Sequence, residues 1–265
     1  MSETVVLVDK ADGIATVTLN RPEKLNALNR ELRGAFSRAM SALRDDAEAG
    51  VVIITGAGRA FCAGLDLREL GADSSRETGA LARDGSAVNF ISVIEDMKVP
   101  VIAAVNGFAV TGGFELALAC DLIVAAEDAQ FADTHARVGV MPGGGMTARL
   151  PRAIGVRKAR ELSLTGNYLS AREAERMGLV NRVTPKGEAL NEARALAAQI
   201  LSANQAVVRE LKQLYDKTTR ATLGDAIRIE QEAFRAFNSR ANLKDLEQHR
   251  AAVMERGRKQ SGPRQ

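Results

Sequence analysis

Two unbroken apolar runs, each passing into glycines and then the start of a helix, limit the folds open to this chain. The first is Val51-Val52-Ile53-Ile54-Thr55, which stops at Gly56-Ala57-Gly58. The second runs from Val99 to Val105, ends at Asn106-Gly107, and is followed by Thr111-Gly112-Gly113 and a small-residue helix over Glu115 to Ala119. A run apolar at every position, not at alternate ones, reads as a strand buried on both faces. Leu122 to Ala126 is a third such run. Strands of this kind need cover on both sides, so the chain reads as α/β.

The flanking sequence agrees. Thr4 to Val8 and Ile14 to Leu19 read as a hairpin around the turn Asp9 to Gly13, which Asn20-Arg21-Pro22-Glu23-Lys24 closes off. Asn29 is placed to cap a helix whose Leu32, Phe36, Met40 and Leu43 recur at helical spacing. Leu70 to Ser86 is polar and reads as a loop before a helix over Ala87 to Met97. Beyond Arg149 the pattern is helical, with Leu223, Ile227, Phe234 and Phe237 on one apolar stripe. The expected organisation is a core over residues 1–197 and a helical C-terminal region over 198–265.

Composition excludes several classes. A formal charge of +3 without a concentrated basic stripe does not suit a nucleic-acid binder, and the basic tail of Arg256, Arg258, Lys259 and Arg264 reads as solvated. The longest apolar stretch, Val99 to Val110, is broken by Pro100, Asn106 and Gly107 and is too short to cross a bilayer. Met1 to Gly13 lacks the basic start and apolar run of a signal peptide. Cys62 and Cys120 lie in Ala/Gly-rich surroundings and fit a reducing compartment. A cytoplasmic protein that uses neither membrane nor nucleic acid is expected.

In a parallel sheet, ligands collect beyond the carboxyl ends of the strands. Helix N-termini there present free N–H groups. Two such ends aimed at one point can hold a developing negative oxygen, and small residues at Ala63, Gly112 and Gly113 let a carbonyl approach the backbone. For either segment alone, tight turns and close packing would also account for the glycines. A dinucleotide fingerprint fails because Phe61 stands where its third glycine belongs, and Gly58 to Gly64 lacks the ending of a phosphate-binding loop. No metal-ligand spacing is present among the two histidines and two cysteines.

Together these segments resemble the crotonase (enoyl-CoA hydratase/isomerase) superfamily. Ala60-Phe61-Cys62-Ala63-Gly64-Leu65-Asp66-Leu67 is similar to the family's first oxyanion-hole loop, and Ala104 to Leu116 to its active-site signature. The likeness continues through Asn20 to Leu28, Pro142-Gly143-Gly144-Gly145, and Ser163-Leu164-Thr165-Gly166 to Gly178-Leu179-Val180. It implies a spiral core of ββα turns and a C-terminal helical region that assembles trimers or paired trimers. It also implies that the amides of Ala63 and Gly112 bind a thioester oxygen. Coenzyme A, part of the substrate and not a separate cofactor, would lie along Lys24, Leu25, Ala27, Ala63, Gly64, Leu65, Asp66 and Leu67, with Pro142 and Gly143 also bordering the substrate. The acyl chain would lie against the region between Leu65 and Met97.

The resemblance places Glu115 as an acid–base carboxylate. Family hydratases carry a second glutamate twenty residues later, where this chain has His135, one of only two histidines. A histidine can accept and donate protons near neutral pH. Asp133, two residues earlier, is expected to point elsewhere. The implied activity is hydration of trans-2-enoyl-CoA, as in fatty-acid β-oxidation. The substitution also leaves open a Δ3,Δ2-enoyl-CoA isomerase using Glu115 alone and a thioester-binding relative without hydratase activity. Around Ala241 to Glu247 the family's acidic-glycine pair is missing.

Overall fold

The computed structural model describes residues 4–72, 86–239, 250 and 253–258. They divide into two compact units, Met1–Arg209 and Glu210–Gln265.

The first unit opens with a hairpin of β1 (Val6–Ala11) and β2 (Ile14–Leu19). Its turn is shorter than expected: β1 continues through Asp9 to Ala11, and only Asp12-Gly13 joins the strands. Both take positive φ, 52° and 78°, which suits a two-residue turn whose twist matches the paired strands. Helix α1 (Arg30–Arg44) follows, with Asn29 Oδ1 accepting from Leu32 N at 2.9 Å as the expected cap.

The expected buried strands come next: β3 (Val51–Gly56), β5 (Val101–Val105) and β7 (Leu122–Ala126). Each is followed within a few residues by a short strand in a second sheet: β4 (Ala60–Cys62), β6 (Phe108–Val110) and β8 (Gln130–Ala132). Strands β3, β5 and β7 join the hairpin and a short strand β10 (Arg182–Thr184) in a six-stranded sheet in the order β1-β2-β3-β5-β7-β10. The other short ones form a four-stranded sheet, β4-β6-β8-β9, where β9 is Tyr168–Ser170. Long strand, short strand, helix, repeated, is a ββα spiral.

Helices follow the short strands: α2 (Leu67–Ala72) and α3 (Ser86–Glu95) after β4, α4 (Gly112–Ala119) after β6, and α5 (His135–Val138) after β8. Most of the loop expected between Leu70 and Ser86 lies outside the described residues. Then come α6 (Met146–Ile154), α7 (Val156–Thr165), α8 (Ala171–Arg176), α9 (Ala189–Leu201) and α10 (Gln205–Thr218).

The packing explains why the central strands β3, β5 and β7 are so apolar. Val51, Ile53, Ile102, Ala104 and Val124 face one way, against Ala193 and Ala197 of α9. Val52, Ile54, Val101, Ala103 and Val105 face the main core with Phe36, Phe61, Phe114 and Phe131. The sequence put the unit boundary at 197, inside α9; because α9 covers the back of the sheet, the first unit continues past it. The second unit contains helix α11 (Leu223–Asn238), capped by Thr222, with Leu223, Ile227 and Phe234 exposed. The segment Ala241 to Glu247 lies outside the described residues. Among those residues, no helix is long and apolar enough to cross a membrane.

Asn26 pins the chain before α1. Its buried side chain accepts from Arg21 N at 2.9 Å and donates to Ala57 O and Ala60 O at 2.9 and 2.8 Å. Asn26→Ala would strand one amide and two carbonyls in the interior, and alanine tolerates the φ of 56° poorly. The expected cost is about 3 kcal/mol, read as a Tm lower by about 5–10 °C. A calorimetric shift under 2 °C (about 0.5–1 kcal/mol) would contradict this role.

Candidate active site

The site forms where the turns after β4, β6 and β8 meet. Leu25 and Asn26 both adopt left-handed backbone, so residues 20–28 double back onto the loop after β4. Leu25 O accepts from Ala63 N at 3.0 Å, and the Arg21 guanidinium lies 3.2 Å from the Asp66 carboxylate. The two segments expected to hold coenzyme A are thus joined. Lys24 and Leu67 are exposed, Leu25, Ala27, Ala63, Leu65 and Asp66 are half-buried, and Gly64 is buried. Neither Arg21 nor Asn26 was singled out from the sequence.

That joining corrects one expectation. The amide of Ala63 already donates to Leu25 O, so it is not the free oxyanion donor. Leu65 pairs with Leu28 as an isolated parallel bridge, in which Leu28 N donates to Gly64 O at 2.8 Å and Asp66 N to Leu28 O at 3.3 Å. In such a bridge the N–H of the opposite residue points the other way. The Leu65 amide therefore turns from Leu28, and no backbone carbonyl among the described residues accepts it. A Cβ on Gly112 would stand 3.8 Å from Leu65 N. Gly112 is the first residue of α4, where the amide has no partner within the helix. The two open amides bordering one space belong to Leu65 and Gly112.

The corner that aims Gly112 is strained. Thr111 has φ 47° and ψ −112°, a conformation costing a β-branched residue about 1–3 kcal/mol. It is held by Thr111 N donating to Ala132 O at 2.8 Å and Thr111 O accepting from Glu115 N at 2.9 Å.

Glu115 sits in the first turn of α4 and is buried. Its Oε1 accepts from Gly144 N at 2.8 Å and Met146 N at 3.2 Å. The glycine loop after Pro142 thus orients this carboxylate; Pro142 is half-buried and Gly143 exposed. A side chain on Gly144 would stand 2.9 Å from Glu115 Oε2 and 2.2 Å from Ile91 Cδ1. Burial pushes the Glu115 carboxyl above its ordinary range, and the Met146 amide, His135 and the Gly144 amide oppose only part of that shift.

His135 is buried, and its Nε2 lies 3.8 Å from Glu115 Oε2. Its other ring nitrogen, Nδ1, is 2.6 Å from Asp133 Oδ1. Asp133 does not point elsewhere: His135 N also donates to Oδ1 at 3.3 Å, and that turn folds the side chain forward onto the imidazole. Burial works against ionising Asp133, but hydrogen bonds from His135 and Ser163 outweigh it and hold the carboxyl below its usual range. The sequence signal was Asp133-Thr134-His135, an acid two residues before a histidine.

A two-sheet spiral of ββα turns, with open amides at one strand end and a buried carboxylate in the following helix, defines a crotonase-fold protein. The chain belongs to the enoyl-CoA hydratase/isomerase family, whose model matches residues 9–260. It is similar to a protein of Arabidopsis thaliana named probable enoyl-CoA hydratase 1, peroxisomal, with 39% identity over 98% of this chain and 96% of the relative. A crotonyl-CoA hydratase of Syntrophomonas wolfei is 39% identical over 86% of this chain and 88% of the relative. The crystal structure of an enoyl-CoA hydratase from Bacillus anthracis superposes with a TM-score of 0.87 at 34% identity, covering 95% of this chain and 97% of that one.

Proposed function

We propose that this chain is an enoyl-CoA hydratase that adds water across the double bond of trans-2-enoyl-CoA. The observation that carries the reading is the facing pair, Glu115 Oε2 and His135 Nε2, 3.8 Å apart beside the open amides of Leu65 and Gly112. One water can sit within hydrogen-bond reach of both groups, at about 2.8 Å from each. Its oxygen attacks C3 as a proton passes to the basic member of the pair. Electron density moves through C2 to the thioester oxygen, where the two amides hold the enolate. The other member then protonates C2. The pair ends with as many protons as it began, and the product is the 3-hydroxyacyl thioester.

An isomerase using Glu115 alone would need no second titratable group at that distance, so the facing histidine favours hydration. Coenzyme A would lie along Lys24, Leu25, Ala27, Gly64, Leu65, Asp66 and Leu67. Exposed Leu223, Ile227 and Phe234 offer apolar surface that neighbouring subunits of a trimer or paired trimers would cover. A cytoplasmic location accords with Cys62 and Cys120 being thiols in Ala/Gly-rich surroundings.

Incubation with crotonyl-CoA should bleach the conjugated enoyl-thioester absorbance and yield 3-hydroxybutyryl-CoA by mass spectrometry. His135→Ala should lower kcat about 100-fold. A panel of 2-enoyl-CoAs of increasing chain length left unchanged by the wild-type protein would reject the hydratase reading.

A further inference from the structure

We propose that Asp133 is a positioning residue for the acid–base pair, holding His135 with its proton on Nδ1 and its Nε2 turned to Glu115. The catalytic consequence rests on the hydratase reading; the state of the imidazole does not.

The geometry starts from the 2.6 Å contact between Asp133 Oδ1 and His135 Nδ1. An ionised carboxylate only accepts hydrogen bonds, so the shared proton belongs to Nδ1. That leaves Nε2, on the far side of the ring, as the nitrogen that exchanges protons, and it is the one that lies 3.8 Å from Glu115 Oε2. Asp133 and His135 are 1% and 6% exposed, so solvent competes little for either. A buried carboxylate needs a compensating partner. Among the described residues, no lysine or arginine forms an ion pair with Asp133; His135 supplies the contact. Ser163 on α7 and the backbone amide of His135 occupy further acceptor positions, so the carboxylate cannot swing away without stranding them.

The carboxylate takes no proton in the reaction and touches no reacting atom. It acts through the ring, fixing which nitrogen is open toward Glu115. Where a second glutamate would reach the water with its own oxygen, this chain uses an aspartate–histidine unit.

The test uses the full chain labelled with ¹⁵N-histidine, which contains only two histidines, His135 and His249; the spectrum of His135→Glu assigns the signals. At a pH where the ring is neutral, wild-type His135 should carry its proton on Nδ1, and Asp133→Ala should move it to Nε2. A wild-type ring with bare Nδ1 overturns the proposal before any variant is made, as does a tautomer that survives Asp133→Ala. In kinetics, Asp133→Ala should lower kcat about 100-fold with KM within about threefold. In a His135→Glu background, the same change should alter kcat by less than about threefold, because no imidazole remains to be held. Equal losses in both backgrounds would mean a structural role and overturn the proposal. If wild-type protein hydrates no enoyl-CoA, the hydratase reading fails, while the spectrum still decides the tautomer.

Discussion

Glu115→Gln is expected to remove turnover, with kcat lower by at least about 10³-fold, while making the protein more stable at neutral pH. The two effects share one cause. The glutamine carbonyl can still accept from Gly144 N and Met146 N, so the loop after Pro142 has no reason to rearrange. What disappears is the carboxylate oxygen that faces His135. Burial raises the Glu115 carboxyl in the folded protein, so folding disfavours its ionised form. Between the ordinary carboxyl value and the raised one, the folded state binds more protons than the unfolded state, and stability falls as pH rises. Above the raised value the whole penalty is present in the wild type and absent in the variant. The Tm difference should therefore be largest at neutral pH and vanish near the ordinary value of 4.5. A Glu115→Gln protein active within tenfold of wild type, or less stable at pH 8, would contradict this account of the site.

Gly64→Ala should be nearly as damaging, although no side chain at 64 touches the chemistry. Gly64 has φ +90°, and a Cβ there would fall 1.9 Å from Thr111 Oγ1 and 2.9 Å from Val110 O. Thr111 has little freedom to retreat, because both its amide and its carbonyl are hydrogen-bonded. The loop carrying the next residue must move instead, taking the Leu65 amide out of line with Gly112. Loss of one oxyanion donor lowers kcat by about 10²–10³-fold. The strained φ and the contact should together cost about 2–3 kcal/mol of stability. Thr111→Gly in the same chain removes the nearer clash and should recover part of the lost rate. A Gly64→Ala enzyme with kcat within threefold of wild type would show that the Leu65 amide does not hold the enolate.

Much of the frame was legible because it is written locally. Val51 to Ile54, Val101 to Val105 and Leu122 to Ala126 are apolar at every position, the pattern of a strand covered on both faces. Asn29 precedes a helical apolar period, and it caps that helix. The crotonase resemblance pointed to the ends of β3–β4 and β5–β6 and to Glu115 and His135, and the fold brings those two side chains face to face. The hairpin turn was read too long because Asp12-Gly13 alone could reverse the chain.

The allocation of hydrogen bonds within the site was not legible. Ala63 and Leu65 are neighbours in one loop of small and apolar residues, and nothing local says which amide is free. Leu25, nearly forty residues earlier, decides it by accepting from Ala63. Likewise Asp133 could have faced solvent, as its offset from the catalytic position suggested; Ser163 and the turn at His135 drew it inward. Sequence by itself determined the elements, the buried strands and the neighbourhood of the chemistry, since periodicity and capping act over a few residues. Tertiary structure decided which donors remain open and which nitrogen of His135 faces Glu115, because a hydrogen bond goes to whichever partner the folded chain brings within about 3 Å.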